Sequence, residues 1–494
     1  MEDEMFHTHR RFWLKSICLS VLSSTLKPKI SFAADDAEAV RKKLRQAVVF
    51  YATRAAKHGG YVYQYSADLK KSEGEGVTGP DTVWVQPPGT PSVGLAMLQI
   101  YQRTGLIEAL DASIAAAECL VKGQLHSGCW NDKIEFAPDA RKKFAYKVDG
   151  PLKAKAFNVS TFDDDKTQSA IEFLLYLNEE LKGKNKTIRE SLTIALNSLV
   201  SAQFPNGGFA QGFAEPADKT KPADLKASYP ETWPRTYPGG KYWFFYTFND
   251  GNIDNLIKIL FLAERIQKDE KYRTAALKSA EFILHSQMPD PQPAWAQQYD
   301  FDMKPVWARK FEPPSISGGE SQRILNTLMD VYLETGEKRY LAPIAPALAW
   351  LEKSRLPDGR IARFFELKTN KPLYFTKKYE LTYDDTDLPT HYGFKVDDKT
   401  PAIRKRFDKI SAMTERQRLK ELDSKRKPRQ PGKPSLAQVQ KIMAGLDERG
   451  AWVEAGKLGY HPKGDPTREV IRSETFMKNS LILADWLAAN TPRT

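Results

Sequence analysis

The chain has 494 residues, 41% hydrophobic and 28% charged, with a mean hydropathy of −0.52, enough for one large closed α-helical domain or two to three ordinary ones. Beyond about residue 30 no run approaches the roughly 18 consecutive apolar residues of a membrane helix, which excludes a helical span. The formal charge of +12 invites a nucleic-acid reading, but twelve Lys or Arg against four Asp or Glu between Arg404 and Lys433 place a net +8 in one hydrophilic stretch, and no nucleic-acid motif accompanies it.

Residues 1–34 combine Arg10-Arg11, a modestly apolar stretch from Ser16 to Leu26, and the small residues Ala33-Ala34. A charged start, a short apolar core and a small-residue end describe an export signal, and the paired arginines point to the twin-arginine route. The expectation is an exported protein, periplasmic or secreted. Beyond the leader lie Cys119 and Cys129, which admit either one disulfide or two free thiols.

From residue 35 onward apolar residues recur at helical spacing over Val93–Tyr101, Ile171–Leu177, Ile253–Ala263, Ile324–Leu333 and Met477–Leu487. After a short break a second helix follows at Ile114–Val121, Leu192–Val200, Ala275–Leu284 and Ile344–Leu351. Between the pairs a Gly-aromatic turn returns: His58-Gly-Gly-Tyr61, Ser127-Gly-Cys-Trp130, Asn206-Gly-Gly-Phe209 and Arg449-Gly-Ala-Trp452, with weaker copies at Pro293-Ala-Trp295 and Asp358-Gly-Arg360. A single helix pair cannot bury both faces, whereas stacked pairs closing on themselves can. The expected fold is all-α, an α/α toroid of about six helix pairs over 35–494, with the Gly-aromatic turns gathered at one end. Loops there converge on one cleft, and their aromatics suit either sugar faces or the core.

Three charged phrases each precede an apolar helix: Thr161-Phe-Asp163-Asp164-Asp165-Lys166, Thr247-Phe-Asn249-Asp250-Gly251-Asn252 and Trp307-Ala-Arg309-Lys-Phe-Glu312. An Asp or Asn in that position is commonly an N-cap. Carboxylates repeated in successive units also suit a hard cation such as calcium, and the five histidines beyond the leader, His58, His126, His285, His391 and His461, show no ligand spacing.

Residues 155–378 resemble the catalytic core of the family 10 polysaccharide lyases, the pectic acid lyases. The resemblance rests on TFDDDKTQ at 161–168, FPNGGFAQ at 204–211, YTFNDGN at 246–252, PAWAQQYD at 293–300, VWARKFEPPSISGGES at 306–321 and ARFFELKTNKPLYF at 362–375. It implies a calcium-dependent lyase that cuts an acidic, uronate-containing polymer of the pectate kind by β-elimination. Asp163 and Asp250 would hold calcium with the substrate uronate, Arg309 would take the proton, and Arg363 would bind a substrate carboxylate. Asn249 and Asp164 join the substrate-binding set. Lys377 stands where the family has a further arginine, and an ammonium cannot reproduce the bidentate guanidinium fork. Read from residues alone, Arg309 could also be an anion-binding group or merely the partner of Glu312.

Two further departures lie near the cleft: Asp164-Asp165-Lys166 replaces a softer Asn-Gly-Ala-like stretch, and the loop from Ala214 to Lys241, followed by Tyr242, is long. The basic stretch within 379–434 reads as a solvated helix followed by a Pro-rich loop, or as a dock for a polyanion. The competing functions are a glycoside hydrolase using Glu312, Glu320 or the Asp384-Asp385-Thr-Asp387 run, and a non-catalytic polysaccharide-binding toroid. The partner expected is an acidic polysaccharide, met by a monomer, with neither nucleic acid nor membrane involved.

Overall fold

The computed structural model describes residues 29–427 and 431–491. The leader expected over 1–34 falls mostly on residues 1–28, outside the described residues, and α1 (Lys29–Phe50) begins directly after them. No helix among the described residues is long and apolar enough to cross a membrane.

The predicted helices form, together with others that the apolar spacing did not mark: α2 (Thr90–Thr104) with α3 (Ile107–Gly123), then the short α4 (Pro138–Arg141), α5 (Lys166–Glu180) with α6 (Lys186–Ser201), and α7 (Asn252–Gln267) with α8 (Glu270–Ser286). They continue as α9 (Gly318–Thr335) with α10 (Ile344–Lys353), α11 (Thr400–Ser411) with α12 (Glu415–Arg426), and α13 (Leu436–Ala444) with α14 (Ser473–Asn490). Their ends are written locally. The Asn185 side chain caps α6 by accepting from the Ile188 amide, and the Ser317 hydroxyl caps α9 by accepting from Glu320. The left-handed Gly105 and Gly336 close α2 and α9.

Within most pairs the connection is short, as at 105–106, 181–185, 268–269 and 412–414, whereas between pairs it is long: 51–89, 124–165, 202–251, 287–317 and 354–399. Antiparallel helix pairs with this alternation put every long connection at the same end. α2 packs on α14 and α5, α5 on α7, and α7 on α9, while α1 packs on α14. The architecture is an α/α toroid.

Short strands, invisible to a periodicity search, tie the long connections together. They are β1 (Gln64–Ser66), β2 (Ser72–Glu73), β3 (Thr82–Trp84), β4 (Lys133–Glu135), β5 (Ser160–Thr161), β6 (Gly212–Phe213), β7 (Tyr246–Thr247) and β8 (Gln298–Tyr299). Beyond these come β9 (Ser315–Ser317), β10 (Ile361–Ala362), β11 (Phe364–Glu366), β12 (Pro372–Phe375), β13 (Leu381–Thr382), β14 (Lys395–Val396), β15 (Glu454–Ala455) and β16 (Glu469–Arg472). β16 pairs with β1, β3 with β4, β5 with β6, β7 with β8 and β9 with β11, all antiparallel. Each pairing joins one long connection to its neighbour, so the rim of the ring is laced into a continuous platform.

The Gly-aromatic turns serve the core rather than the cleft. Trp130, Trp295 and Trp452 are buried, and each indole N–H donates to a carbonyl of the preceding helix: Leu120, Ile283 and Ile442, at 2.8, 2.9 and 2.9 Å. The glycines are needed because the backbone there turns left-handed in close quarters. At Gly207 (φ +88°) a Cβ would lie 1.9 Å from the Lys278 carbonyl oxygen. A glutamine before several turns reaches into the next unit: the buried Gln124 to the Ser191 carbonyl at 2.9 Å, the buried Gln203 to Ala275 at 2.8 Å and the half-buried Gln287 to Pro343 at 3.0 Å. Cys119 and Cys129 are buried free thiols.

The basic stretch is largely exposed, as a solvated helix would be, but forms two helices with one face on the toroid. α11 and α12 pack on α9, and three of their arginines reach it: Arg406 at Asn326 and Asp330, Arg426 at Glu334, and the buried Arg418 at the Leu333 carbonyl, with Glu415 of α12 itself on its other side. Arg404 pairs with Glu352 of α10. Part of the positive charge of this stretch is therefore met by Asp330, Glu334 and Glu352 of the toroid.

Candidate active site

Two of the long connections enter their helices through the same turn. β5 leads through Phe162 into a single 3-10 turn, Asp163–Asp165, and β7 leads through Phe248 into Asn249–Gly251. The Phe162 amide donates to the Gln211 carbonyl and the Phe248 amide to that of Gln297, both at 2.8 Å. The Thr161 and Thr247 hydroxyls accept from the Asp163 and Asn249 amides, both at 3.1 Å. The backbone then turns left-handed twice, at Asp164 (φ 46°) and Asp165 (φ 62°), and at Asp250 (φ 49°) and Gly251 (φ 72°). Asp and Asn tolerate this region better than other residues with a Cβ, yet strain kept at matched positions marks a functional turn. Asp164, not Asp163, is thus the structural counterpart of Asp250, and Asp163 corresponds to Asn249. The signal lay in superposing TFDDD on TFNDG.

The turns lie side by side, and one carboxylate oxygen from each of Asp163, Asp164 and Asp250 falls within 4.8 Å of the others. Asn249 Nδ2 donates to Asp250 at 2.6 Å, while Asn249 Oδ1 is buried without a partner. Gln86 Nε2, from the connection before α2, donates to Asp164 Oδ2 at 3.3 Å. Burial, then Asp164, Asp163 and Glu320, push the Asp250 carboxyl up to about 7. Burial and Asp163 also raise Asp164. The cluster concentrates negative charge, so that two of its carboxyls are held above the usual range. Hard oxygens at this spacing, with an unpartnered buried amide oxygen beside them, fit calcium. Asp165 faces elsewhere: its carboxyl is raised to about 7 by burial and by Glu172.

Lys166 enters the same cluster from beneath. Its side chain is 4% exposed, and Nζ lies 3.0 Å from Asp132 Oδ1, 3.1 Å from Asp163 Oδ2 and 3.8 Å from Asp164 Oδ2. Burial works against its charge, but Asp163 and Asp132 outweigh it and hold the ammonium above its ordinary value.

The cationic side of the site is built by the connections before α9 and α11. Arg309 Nη2 pairs with Glu312 Oε1 at 2.6 Å, and the Arg309 amide donates to Glu312 Oε2 at 3.0 Å. Glu312 is 2% exposed and also accepts from the Tyr392 hydroxyl at 2.8 Å. Two guanidinium groups lie against the Tyr392 ring, that of Arg309 5.4 Å and that of Arg363 4.8 Å from its centre. Arg363 Nε donates to the Gly393 carbonyl at 2.7 Å, and Nη1 lies 3.6 Å from Glu320. Both arginines feel Asp250. For Arg309 burial opposes the charge, but the Glu312 hydrogen bond wins and keeps the guanidinium protonated. Glu312 is correspondingly held below the usual glutamate range despite its burial.

The structure therefore brings together Asp163, Asp164, Asn249, Asp250, Arg309 and Arg363. It does not bring Lys377 with them: that side chain is 63% exposed and paired with Asp387 at 2.9 Å, because the chain turns outward after β12. Sequence reading gave no role here to Gln86, Asp132 or Tyr392, and treated Lys166 only as a departure. Tyr392 comes from the segment read as lying outside the catalytic core. Tyr242, at the end of the long loop, stands in the field of Arg309, Glu312 and Asp163, whereas Trp233 and Tyr237 pack against Trp307. The two glutamates of the hydrolase reading are both engaged, Glu312 by Arg309 and Glu320 by Ser317 and Arg363.

A pectic acid lyase family model matches residues 124–402. No curated protein matches the chain. Among solved structures, a family 10 polysaccharide lyase from Cellvibrio cellulosa is 20% identical and aligns over 60% of this chain and 92% of its own, with a TM-score of 0.45. A mutant of a Cellvibrio cellulosa family 10 lyase, in complex with trigalacturonic acid, is 19% identical over 65% and 98%, TM-score 0.45. A D-mannose isomerase is 12% identical over 94% and 100%, TM-score 0.43.

Proposed function

This chain belongs to the pectic acid lyase family and is a polysaccharide lyase, and we propose that it cleaves an acidic, uronate-containing polymer of the pectate kind by calcium-dependent β-elimination. The observation that carries this reading is the convergence of Asp163, Asp164 and Asp250 within 4.8 Å, in the field of two guanidinium groups held on one tyrosine ring. Export through the paired-arginine leader, and a division into catalytic core (155–378) and flanking segments, belong to the same proposal.

Asp163, Asp164 and Asp250 would hold calcium, with the Asn249 amide oxygen beside them. When bound, calcium neutralises the uronate carboxylate and stabilises the enolate-like charge that builds up as the neighbouring proton leaves. Arg363, braced by Gly393 and Glu320, offers the remaining face of its guanidinium to a substrate carboxylate.

Arg309 is assigned the proton. To accept it the guanidinium must first lose one, and Glu312 opposes that loss. The Glu312 pair thus sets the pH at which Arg309 works, and turnover should climb into the alkaline range. A second reading has an observation of its own: the 2.6 Å pair keeps Arg309 cationic, so that it stabilises the enolate charge and takes no proton. The pH profile separates the two: ionisation of Asp250 raises the rate only around pH 7 under either reading, whereas a base at Arg309 gives a rate that goes on rising well into the alkaline range.

The substrate test is a panel of uronate polymers with and without calcium, followed by ultraviolet absorbance of the unsaturated uronate product. Calcium-dependent absorbance on polygalacturonate supports the proposal, and its restriction to a different uronate polymer would replace the substrate while leaving the reaction.

A further inference from the structure

We infer that Lys166 is a resident cation of the metal site: its ammonium occupies the pocket between Asp132, Asp163 and Asp164, supplies part of the neutralising charge, and thereby limits both the affinity and the number of divalent cations bound there. The inference rests on the calcium reading of the cluster and goes beyond it.

Three carboxylates meet at this point, those of Asp163, Asp164 and Asp250, and Lys166 links Asp132 to their edge. One divalent ion leaves those three with a net charge of about −1 before a substrate carboxylate arrives. The lysine removes one of those charges permanently. It is also well placed to compete. Nζ donates to Asp163 at 3.1 Å and touches Asp132 at 3.0 Å, with Asp164 at 3.8 Å, so three of the donors a second ion would need already face an ammonium. An ammonium has three N–H donors and no accepting capacity, and a buried one is tolerable only when paired in this way. The geometry of α5 enforces the arrangement. Lys166 is its first residue, directly after the left-handed Asp164 and Asp165, so the side chain is carried under the turn that displays Asp163 and Asp164. The matching position of the second turn is Asn252, which is buried, uncharged and donates to the Ala210 carbonyl at 3.4 Å. The fold of the turn therefore does not require a cation here, and the lysine answers the local carboxylates.

The test is isothermal titration of the metal-free full-length protein with calcium chloride, together with melting temperature with and without calcium. The variants are wild type, Lys166→Met, Asp132→Asn and the double variant. Wild type is expected to take up one calcium. Lys166→Met should bind at least tenfold more tightly or take up a second ion, and its melting temperature should depend far more on calcium. Asp132, whose side chain is 47% exposed and lies outside the three-carboxylate group, is the safeguard against misfolding of the buried variant. Asp132→Asn throws the lysine onto Asp163 and Asp164 and should weaken calcium several-fold, and this loss should shrink once Lys166 is Met. Binding by Lys166→Met alone, with none by wild type, also supports the inference. A wild type that binds calcium while Lys166→Met binds equally or more weakly overturns it and leaves the calcium reading intact. Absence of binding in all four proteins overturns both.

Discussion

Replacing Glu312 by Gln should move the pH dependence of catalysis without removing catalysis. The glutamate accepts from Arg309 Nη2 at 2.6 Å, from the Arg309 amide at 3.0 Å and from Tyr392 at 2.8 Å. Glutamine keeps the shape and one acceptor but loses the charge. A hydrogen bond to a charged group contributes about 1.5–3 kcal/mol, and one pH unit corresponds to about 1.4 kcal/mol. Because Arg309 is 38% exposed, solvent screening argues for the lower end of that range, about one pH unit. The sign follows from the pair: Glu312 raises the Arg309 guanidinium, so its neutralisation lowers it, and the ascending alkaline limb of kcat/KM shifts to lower pH. At a fixed pH on that limb the variant should be about tenfold faster. The stability effect has its own sign. Glu312 is held below the ordinary glutamate value, so its contribution is complete above that value and is lost as pH falls through the folded one. The variant should therefore lose stability at neutral pH and approach wild type in acid. The assay is a pH series of initial rates on a short oligouronate, paired with thermal melts. An unshifted profile in a folded variant, or a uniform loss of rate at every pH, would refute the assignment of Arg309 as base and favour the cationic reading.

Three other outcomes follow from the same geometry. Asp164→Ala and Asp250→Ala should each abolish calcium-stimulated turnover and lower the melting temperature modestly, because alanine tolerates the left-handed backbone there less well than aspartate, and full activity of the wild type in a chelator would remove the metal from the account. Lys377→Arg should leave both kcat and KM unchanged because the lysine is paired with Asp387 in solvent, whereas Arg363→Lys should raise KM through loss of the planar fork; a substrate-affinity change at Lys377 would bring that residue back to the cleft. Arg418→Ala should cost about 1–3 kcal/mol, since it orphans the Leu333 carbonyl under α12, and an unchanged denaturant midpoint would show α12 to be loosely attached.

The helix pairs were legible because a repeated amphipathic period is a local property, and every predicted core segment lies inside an observed helix. The Gly-aromatic turns were legible as punctuation but not in purpose. That Trp130 and Trp295 close the preceding helix with an indole N–H depends on a three-dimensional neighbour. The acidic phrases were found, yet the pairing of Asp164 with Asp250 emerges only from their shared left-handed backbone. Tyr392 and Asp132 escaped notice because single residues far along the chain carry no spacing signal. The charge of α11 and α12 misled in the same way: Arg406 and Arg426 look free in sequence because Asp330 and Glu334 belong to another helix.

The measurement that bears most directly on the central claim is the ultraviolet absorbance of products formed from polygalacturonate by wild type and by Asp250→Ala, each with calcium and with a chelator. The account predicts absorbance that grows only for wild type in calcium. Shortened chains without ultraviolet absorbance, or equal absorbance in the chelator, would contradict it.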